Sequence, residues 1–170
     1  MSFTLQAISL VELQIIAAAS TPADIAAWAQ ADALPPPFVA QRALGHHDST
    51  PPDGWCSTFY IVRDADRAIV GSCGFKYLPS NGRVEIGYGI SPDCRREGAA
   101  SAAVAALLAL AFEHPEINQV LAQIDPSNHA SIGVVRNNHF KDHGLQLDED
   151  GELVMQWLAS KPHRIASNAA

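Results

Sequence analysis

The feature that most limits what this chain can fold into is a run of fourteen residues without a charge, Ala99–Phe112, directly behind two arginines and a glycine. The stretch reads SPDCRREGAASAAVAALLALAF from Ser91 to Phe112. A membrane-spanning helix needs about 18 or more apolar residues, so this run is too short. A helix lying on a surface would carry charge along one side. The run is therefore expected to be a helix buried against a sheet, and Arg95 and Arg96 must serve whatever its start does.

A strand that leads through a glycine-containing loop into a helix N-terminus makes an anion site. The first turn has unpaired N–H groups, and the aligned peptide dipoles add roughly half a positive charge. Gly98 lets a phosphate approach the backbone, and Ala99 and Ala100 leave the amides uncovered. The spacing is not GxxxxGK[ST], so the lysine and hydroxyl that handle a nucleoside triphosphate and magnesium are missing. Nor is it GxGxxG, which argues against a dinucleotide fold. What remains is Arg-x-x-Gly-x-Ala, in RREGAA. The plainer alternative is that two arginines solvate a loop.

Length and charge narrow the setting. At 170 residues the chain suits one domain. The reading is a single domain over 1–160 followed by a flexible tail, 161–170. Net charge is −7, from 11 Lys+Arg against 18 Asp+Glu. That speaks against nucleic acid and anionic membranes as partners, since both reward basic surfaces. Cys56, Cys73 and Cys94 lack CxxC spacing and read as free thiols in a reducing compartment. No Lys or Arg precedes Arg42, so a signal peptide's positive start is missing and the cytoplasm is expected.

Periodicity gives the order of elements. FTLQAIS alternates as a strand, and LVELQIIAAA and PADIAAWAQADA carry helical spacing, the second with Thr21 as cap and Pro22 at its first position. LPPPFVAQRALGHH reads as a short helix started by proline, and HHDSTPPDG as a loop. STFYIVR and AIVGSCGFKY then form a hairpin around Asp64–Arg67, which puts Ile69, Cys73 and Phe75 on one face. An Asn-Gly turn at 81–82 leads into the strand VEIGYGIS. After the uncharged helix come the strand QVLAQID, a helix from Asn128 to about Asn138, and strands near 140–147 and 152–158. Strand–helix–strand order across 84–125 implies one parallel pair. The fold class is α/β (α+β), a mixed sheet with helices on both faces.

At VEIGYGISPDCRREGAASAAVAALLALAF and INQVLAQIDPSNHASIGVVRNNHFKDHG the chain resembles the GNAT superfamily of acetyl-coenzyme A-dependent N-acetyltransferases, nearest its ribosomal-protein alanine N-acetyltransferase branch. RREGAA matches the pyrophosphate loop of that family, and DPSNHAS its Asn-x-x-Ser stretch. The resemblance covers roughly residues 57–158. It implies a mostly antiparallel sheet of about six to seven strands, and a monomer or homodimer. It also implies acetyl-CoA as co-substrate, an amine-bearing acceptor (small molecule or protein N-terminus) and no metal.

Carried onto these residues, the resemblance assigns the coenzyme to Ile90, Arg95, Arg96, Gly98, Ala99, Ala100, Ser101 and Asn128. The pantetheine arm would pair with the backbone of VEIGYGIS like an added strand. There Glu85, Gly87 and Gly89 share a face, and the glycines mark either a close backbone approach or a crowded sheet–helix contact. Glu85 is the candidate general base, or else it pairs with Arg83 or Lys76. Asn128 is also a plausible helix cap. Ser131 would approach the sulfur as the candidate acid, or else sit back-bonded in its helix. Val135 stands where the family usually has a tyrosine acid. His139 stands where it usually has glycine, with Asn137 or Asn138 left to end the helix in the left-handed region.

Other motifs are weaker. His46-His47 and His139-x-x-x-His143 lack acids or cysteines at ligand spacing and read as solvated or packing histidines. GSCG at 71–74 sits inside a strand pattern, unlike a nucleophile turn. Trp28, Phe59 and Tyr60 read as core. The sequence thus points to an N-acetyltransferase working by direct attack of a primary amine. Two rivals stand beside it: a coenzyme-binding module with weak or no turnover, and a transferase for another acyl chain.

Overall fold

The computed structural model describes residues 1–47, 55 and 57–162. Cys56, most of the HHDSTPPDG loop and the tail beyond Pro162 lie outside the described residues. The strands are β1 (Phe3–Ala7), β2 (Thr58–Arg63), β3 (Ile69–Phe75), β4 (Arg83–Ile90), β5 (Gln119–Ile124), β6 (Lys141–Leu147) and β7 (Leu153–Ser160). The helices are α1 (Leu10–Ala17), α2 (Pro37–His47), α3 (Ala99–Glu113) and α4 (His129–Asn137). The strands form one seven-stranded sheet in the order β1-β2-β3-β4-β5-β7-β6. Every neighbouring pair is antiparallel except β4 and β5, the expected parallel pair.

Local chemistry explains most boundaries. Ser9 caps α1 in a reciprocal box, its side chain accepting from the Glu12 N–H while Glu12 accepts from the Ser9 N–H at 2.8 Å. Asn81 and Gly82 both take positive φ, 52° and 73°, and Ser80 and Arg83 exchange backbone hydrogen bonds around them. That is the tight hairpin turn Asn-Gly favours. One face of the sheet packs on α3, where Val104, Leu107 and Ala111 are fully buried. Burying side chains such as Leu107 contributes about 1.5–3 kcal/mol each. The other face packs on α1 and α2, around Leu13, Ile16, Ala40, Tyr60 and Val62.

Three expectations need correction. The segment 22–33 is not a helix. It makes turns such as Trp28 N–H to Ile25 O, then bonds to the end of β3 through Gln30 N–H to Ile69 O (3.0 Å) and Ile69 N–H to Trp28 O (2.8 Å). β4 ends opposite Gly71, so Ile69 has no β4 partner, and this segment supplies what its buried peptide groups need. Ile69 does not share a face with Cys73 and Phe75: the register slips between Ile61 and Val62, making Val70 an extra residue. Ile69 accordingly joins the α1–α2 side and Cys73 the α3 side. α3 is buried against the sheet as expected, with Ala105 and Ala109 exposed and Leu110 37% exposed on its outer side. Finally, Phe59 and Tyr60 do join the core, but Trp28 is 51% exposed.

Candidate active site

β4 lies at the middle of the sheet, yet it pairs with β5 only over Arg83–Gln119, Val84–Val120 and Glu85–Leu121. Beyond Glu85 the strands part, β5 staying with β7 while β4 runs on to Ile90. The parting leaves a strand edge open inside the sheet, next to the loop that begins α3. A cleft of about 1520 Å³ follows it, lined from that loop through Gly87 and Gly89 to Glu85 and on to α2.

The loop is shaped by backbone. After the 3-10 turn Pro92–Cys94, Arg96 takes φ +67° and Gly98 φ +88°, both left-handed. Gly98 is the N-cap residue of α3 but provides no side-chain cap, so the first amides of the helix face the cleft without one. A Cβ at Gly98, Gly89 or Gly133 would meet nothing within 4 Å. These glycines therefore border open space rather than crowded packing. Arg95 and Arg96 are exposed. Glu97 could set its charge against an anion here, but its carboxylate is held aside by Arg63 Nη1 at 2.7 Å. Asp66 holds the same guanidinium at 2.9 Å. This bracket comes from the β2–β3 hairpin, far away in sequence, and no local pattern announces it.

At the other end of the cleft, Glu85 has a partner on each oxygen. Lys76 Nζ lies 2.6 Å from Oε1, and Gln123 Nε2 donates to Oε2 at 3.2 Å. Of the two cations considered from sequence, Lys76 is the partner; Arg83 instead donates to Gln119. The Glu85 side chain is only 10% exposed. Above it, Arg42 of α2 stacks on the Tyr77 ring at 5.3 Å, and the Tyr77 hydroxyl donates to Glu149 of the β6–β7 turn at 3.4 Å.

α4 covers the parted strands. Asn128 caps it, accepting from the Ser131 N–H at 3.0 Å. Tyr88 reaches up from β4 and donates its hydroxyl to the Ser131 carbonyl at 3.1 Å. Burial pushes the Tyr88 hydroxyl up to about 12, so it remains a hydrogen-bond donor across the neutral range. Asn138 ties α4 to α3 by donating to the Ser101 hydroxyl at 3.1 Å. The left-handed residue that ends α4 is His139, with φ +62°, and not Asn137 or Asn138. Phe140 N–H to Val135 O and His139 N–H to Arg136 O complete that end as a Schellman motif.

All the coenzyme and catalytic candidates expected from sequence line this one cleft. Glu85 and Ile90 come from β4, Arg95, Arg96 and Gly98 from the loop, and Ala99, Ala100 and Ser101 from α3; Asn128 and Ser131 come from the start of α4. Sequence reasoning missed Tyr88, Gln123 and the Arg42–Tyr77–Glu149 bracket. Cys73 is buried and its thiol is pushed up to about 12 by desolvation, so GSCG offers no ready nucleophile. Among the described residues no three of His, Cys, Asp and Glu gather as a metal site. None of the described helices is long and apolar enough to cross a membrane.

A split central strand pair beside an anion loop defines a class, and comparison with known proteins specifies it. The acetyltransferase (GNAT) domain family matches residues 4–141, and the chain belongs to that family. It is 32% identical over 112 residues to the uncharacterized N-acetyltransferase p20 of Bacillus licheniformis, a match spanning 64% of this chain and 63% of that relative. Its fold is similar to that of the aminoglycoside acetyltransferase AAC(6')-Ib, solved with ribostamycin and coenzyme A. There the TM-score is 0.69 at 17% identity, over 99% of this chain and 100% of that one. A ribosomal-protein-S5-alanine acetyltransferase from Vibrio fischeri superposes with a TM-score of 0.68 at 13% identity, over 96% and 95% of the two chains. At such identities these structures speak for the fold alone.

Proposed function

We propose that this chain transfers the acetyl group of acetyl-coenzyme A to a primary amine by direct attack, without a covalent enzyme intermediate. The observation that carries the reading is the parting of β4 from β5 just beyond Glu85, in one cleft with the Arg96–Gly98 loop. The pyrophosphate would lie on the first amides of α3, with Arg95 and Arg96 beside it and Ala99, Ala100 and Ser101 beneath. The pantetheine would run along the open edge of β4 past Ile90, with Asn128 contributing from α4. The thioester then points toward Glu85.

An amine is protonated near neutral pH and must lose a proton before it attacks. Glu85 would accept it, directly or through water. The nitrogen lone pair then adds to the thioester carbonyl, the carbon–sulfur bond breaks, and the nitrogen gives up its second proton as the thiolate is reprotonated. Ser131 is the candidate donor to sulfur. No hydrogen bond of its hydroxyl is found among the described residues, so the back-bonded alternative gains no support. Much of the rate would come from holding two substrates in register.

The acceptor is proposed to be a cationic amine. Asp32, Asp148, Glu149 and Asp150 line the same cleft as Glu85, and the chain carries a net charge of −7. AAC(6')-Ib, bound to ribostamycin, and a spermidine N-acetyltransferase chimera are amine-directed proteins of similar fold. A second reading, a coenzyme-binding module of weak turnover, draws on the Lys76 ion pair that already occupies Glu85. Thiol release from acetyl-coenzyme A, with and without a panel of polyamines, aminoglycosides and peptide N-termini, separates the two. Release that depends on an amine is expected. Tight coenzyme binding with no amine-dependent release would leave the second reading.

A further inference from the structure

The chain has three lysines, and only Lys76 has its amine in the cleft. Lys161 Nζ donates to the His114 carbonyl at 2.8 Å, and Lys141 is exposed on β6. Lys76 follows β3 directly, and its N–H donates to the Glu85 carbonyl at 2.8 Å, which sets the two residues opposite each other on one face. From there the side chain crosses Gly87: a Cβ at Gly87 would come within 3.3 Å of Lys76 Cε. The stem thus lies over the strand whose open edge begins just past Glu85. Its ammonium ends 2.6 Å from the Glu85 carboxylate. A primary amine, hydrogen-bonded to the candidate base and 26% exposed on the cleft side, occupies the place proposed for an acceptor.

We propose that Lys76 is itself an acetyl acceptor, modified in cis by acetyl-coenzyme A bound in the same cleft. The proposal rests on the acetyl-transfer reading and on Glu85 as its base. Glu85 takes one proton from the Lys76 ammonium, and the freed lone pair attacks the thioester carbonyl carbon. A carbon–nitrogen bond forms, the carbon–sulfur bond breaks, and coenzyme A departs as the thiolate. The nitrogen gives up a second proton. Of the two protons released, one returns to the thiolate and one goes to solvent. The products are Nε-acetyl-lysine and coenzyme A, with no oxidant or reductant involved. Acetylation removes the charge from Lys76, so the ion pair ends and the Glu85 carboxylate is released.

The test needs acetyl-coenzyme A alone. The full chain is incubated with isotopically labelled acetyl-coenzyme A and no acceptor, quenched at intervals, and the acetylation of Lys76, Lys141 and Lys161 is followed by peptide mass spectrometry. Lys141, the exposed lysine, reports the chemical background. Lys76 should be modified about 100-fold faster than Lys141, a modest share of what fixed proximity can give. The rate constant should not depend on protein concentration, and excess coenzyme A should slow Lys76 but not Lys141. Glu85→Gln, checked for retained coenzyme A binding by calorimetry, should bring Lys76 down to the background. The proposal is overturned if Lys76 reacts no faster than Lys141, if its rate constant scales with protein concentration, or if coenzyme-binding Glu85→Gln is modified undiminished. Failure to bind coenzyme A would remove the proposed function as well. Amine-dependent thiol release with Lys76 unmodified would remove this inference alone.

Discussion

At the proposed coenzyme end of the cleft the working parts are backbone: left-handed Arg96 and Gly98, uncapped amides at the start of α3, and the open edge of β4. At the proposed acceptor end they are side chains brought from five separate parts of the chain, with Lys76, Glu85, Gln123 and the Arg42–Tyr77–Glu149 bracket in contact only through the fold. A backbone site is made by a short stretch of residues and tolerates varied side chains, as suits a ligand common to a whole family. A side-chain site can change one contact at a time, as suits an acceptor that differs between members. The two ends should therefore fail differently: variants of the first should lose coenzyme affinity, and variants of the second should lose turnover or acceptor affinity.

Glu85→Gln gives the largest expected effect. The amide keeps the shape but cannot take a proton. Turnover should fall on the order of 100-fold while coenzyme binding stays near that of the parent. Unaltered turnover across pH would move the base elsewhere and leave the Lys76–Glu85 pair a structural contact. Next comes Gly98→Val. A Cβ there meets nothing within 4 Å, so crowding is not the issue. At φ +88°, however, a β-branched residue is strained, and the loop should shift away from its anion-binding form. Coenzyme affinity should weaken by about 1–3 kcal/mol, the scale of lost charge-assisted contacts, with the fold retained. Unchanged affinity in a folded protein would dissociate the loop from the coenzyme.

The same contrast explains what could be read in the sequence. The anion loop, β4 and α3 follow one another along the chain, so Arg95, Arg96 and Gly98 announced themselves by spacing alone. Lys76 could be anticipated only as one of two cations near Glu85, because pairing across β3 and β4 chose between them. Tyr77 and Glu149 are 72 residues apart, and nothing local to either predicts their contact. The misread helix at 22–33 has the same origin. Thr21 and Pro22 look like a helix start, but the buried backbone of Ile69 claims the segment instead. Ile69 itself changed face because of the extra residue Val70. The adjacent Gly71 is the only local sign of that irregularity, since a Cβ there would run into the Gly89 carbonyl.

Ser131→Ala tests where the two ends meet. Its backbone is engaged on both sides, by Asn128 and Tyr88, and the substitution leaves both contacts in place. If the hydroxyl assists the leaving thiolate, turnover should fall about tenfold with little change in the Michaelis constant for acetyl-coenzyme A, because that contact strengthens only in the transition state. Lower thermal stability with normal turnover would assign Ser131 to the fold.

The smallest expected effect falls on Arg63, and it sharpens the claim that the coenzyme end is a backbone site. Glu97 stands between the two left-handed residues of the loop, where its charge opposes any bound phosphate. Arg63 holds that charge aside at 2.7 Å, and Asp66 fixes the guanidinium from the other side. Hydrogen bonds from Arg63 hold the Asp66 carboxyl below its usual range, so Asp66 remains ionised through the neutral range and keeps its grip. Arg63→Ala should free Glu97 to swing toward the pyrophosphate and weaken coenzyme binding about threefold, a value typical of partly exposed ion pairs. Salt should mask much of that loss, since the repulsion is screened. The deciding comparison is a double-mutant cycle. If the charge of Glu97 is the cause, Glu97→Gln in the Arg63→Ala background restores affinity; if Arg63 instead braces the loop mechanically, the double variant binds no better than Arg63→Ala.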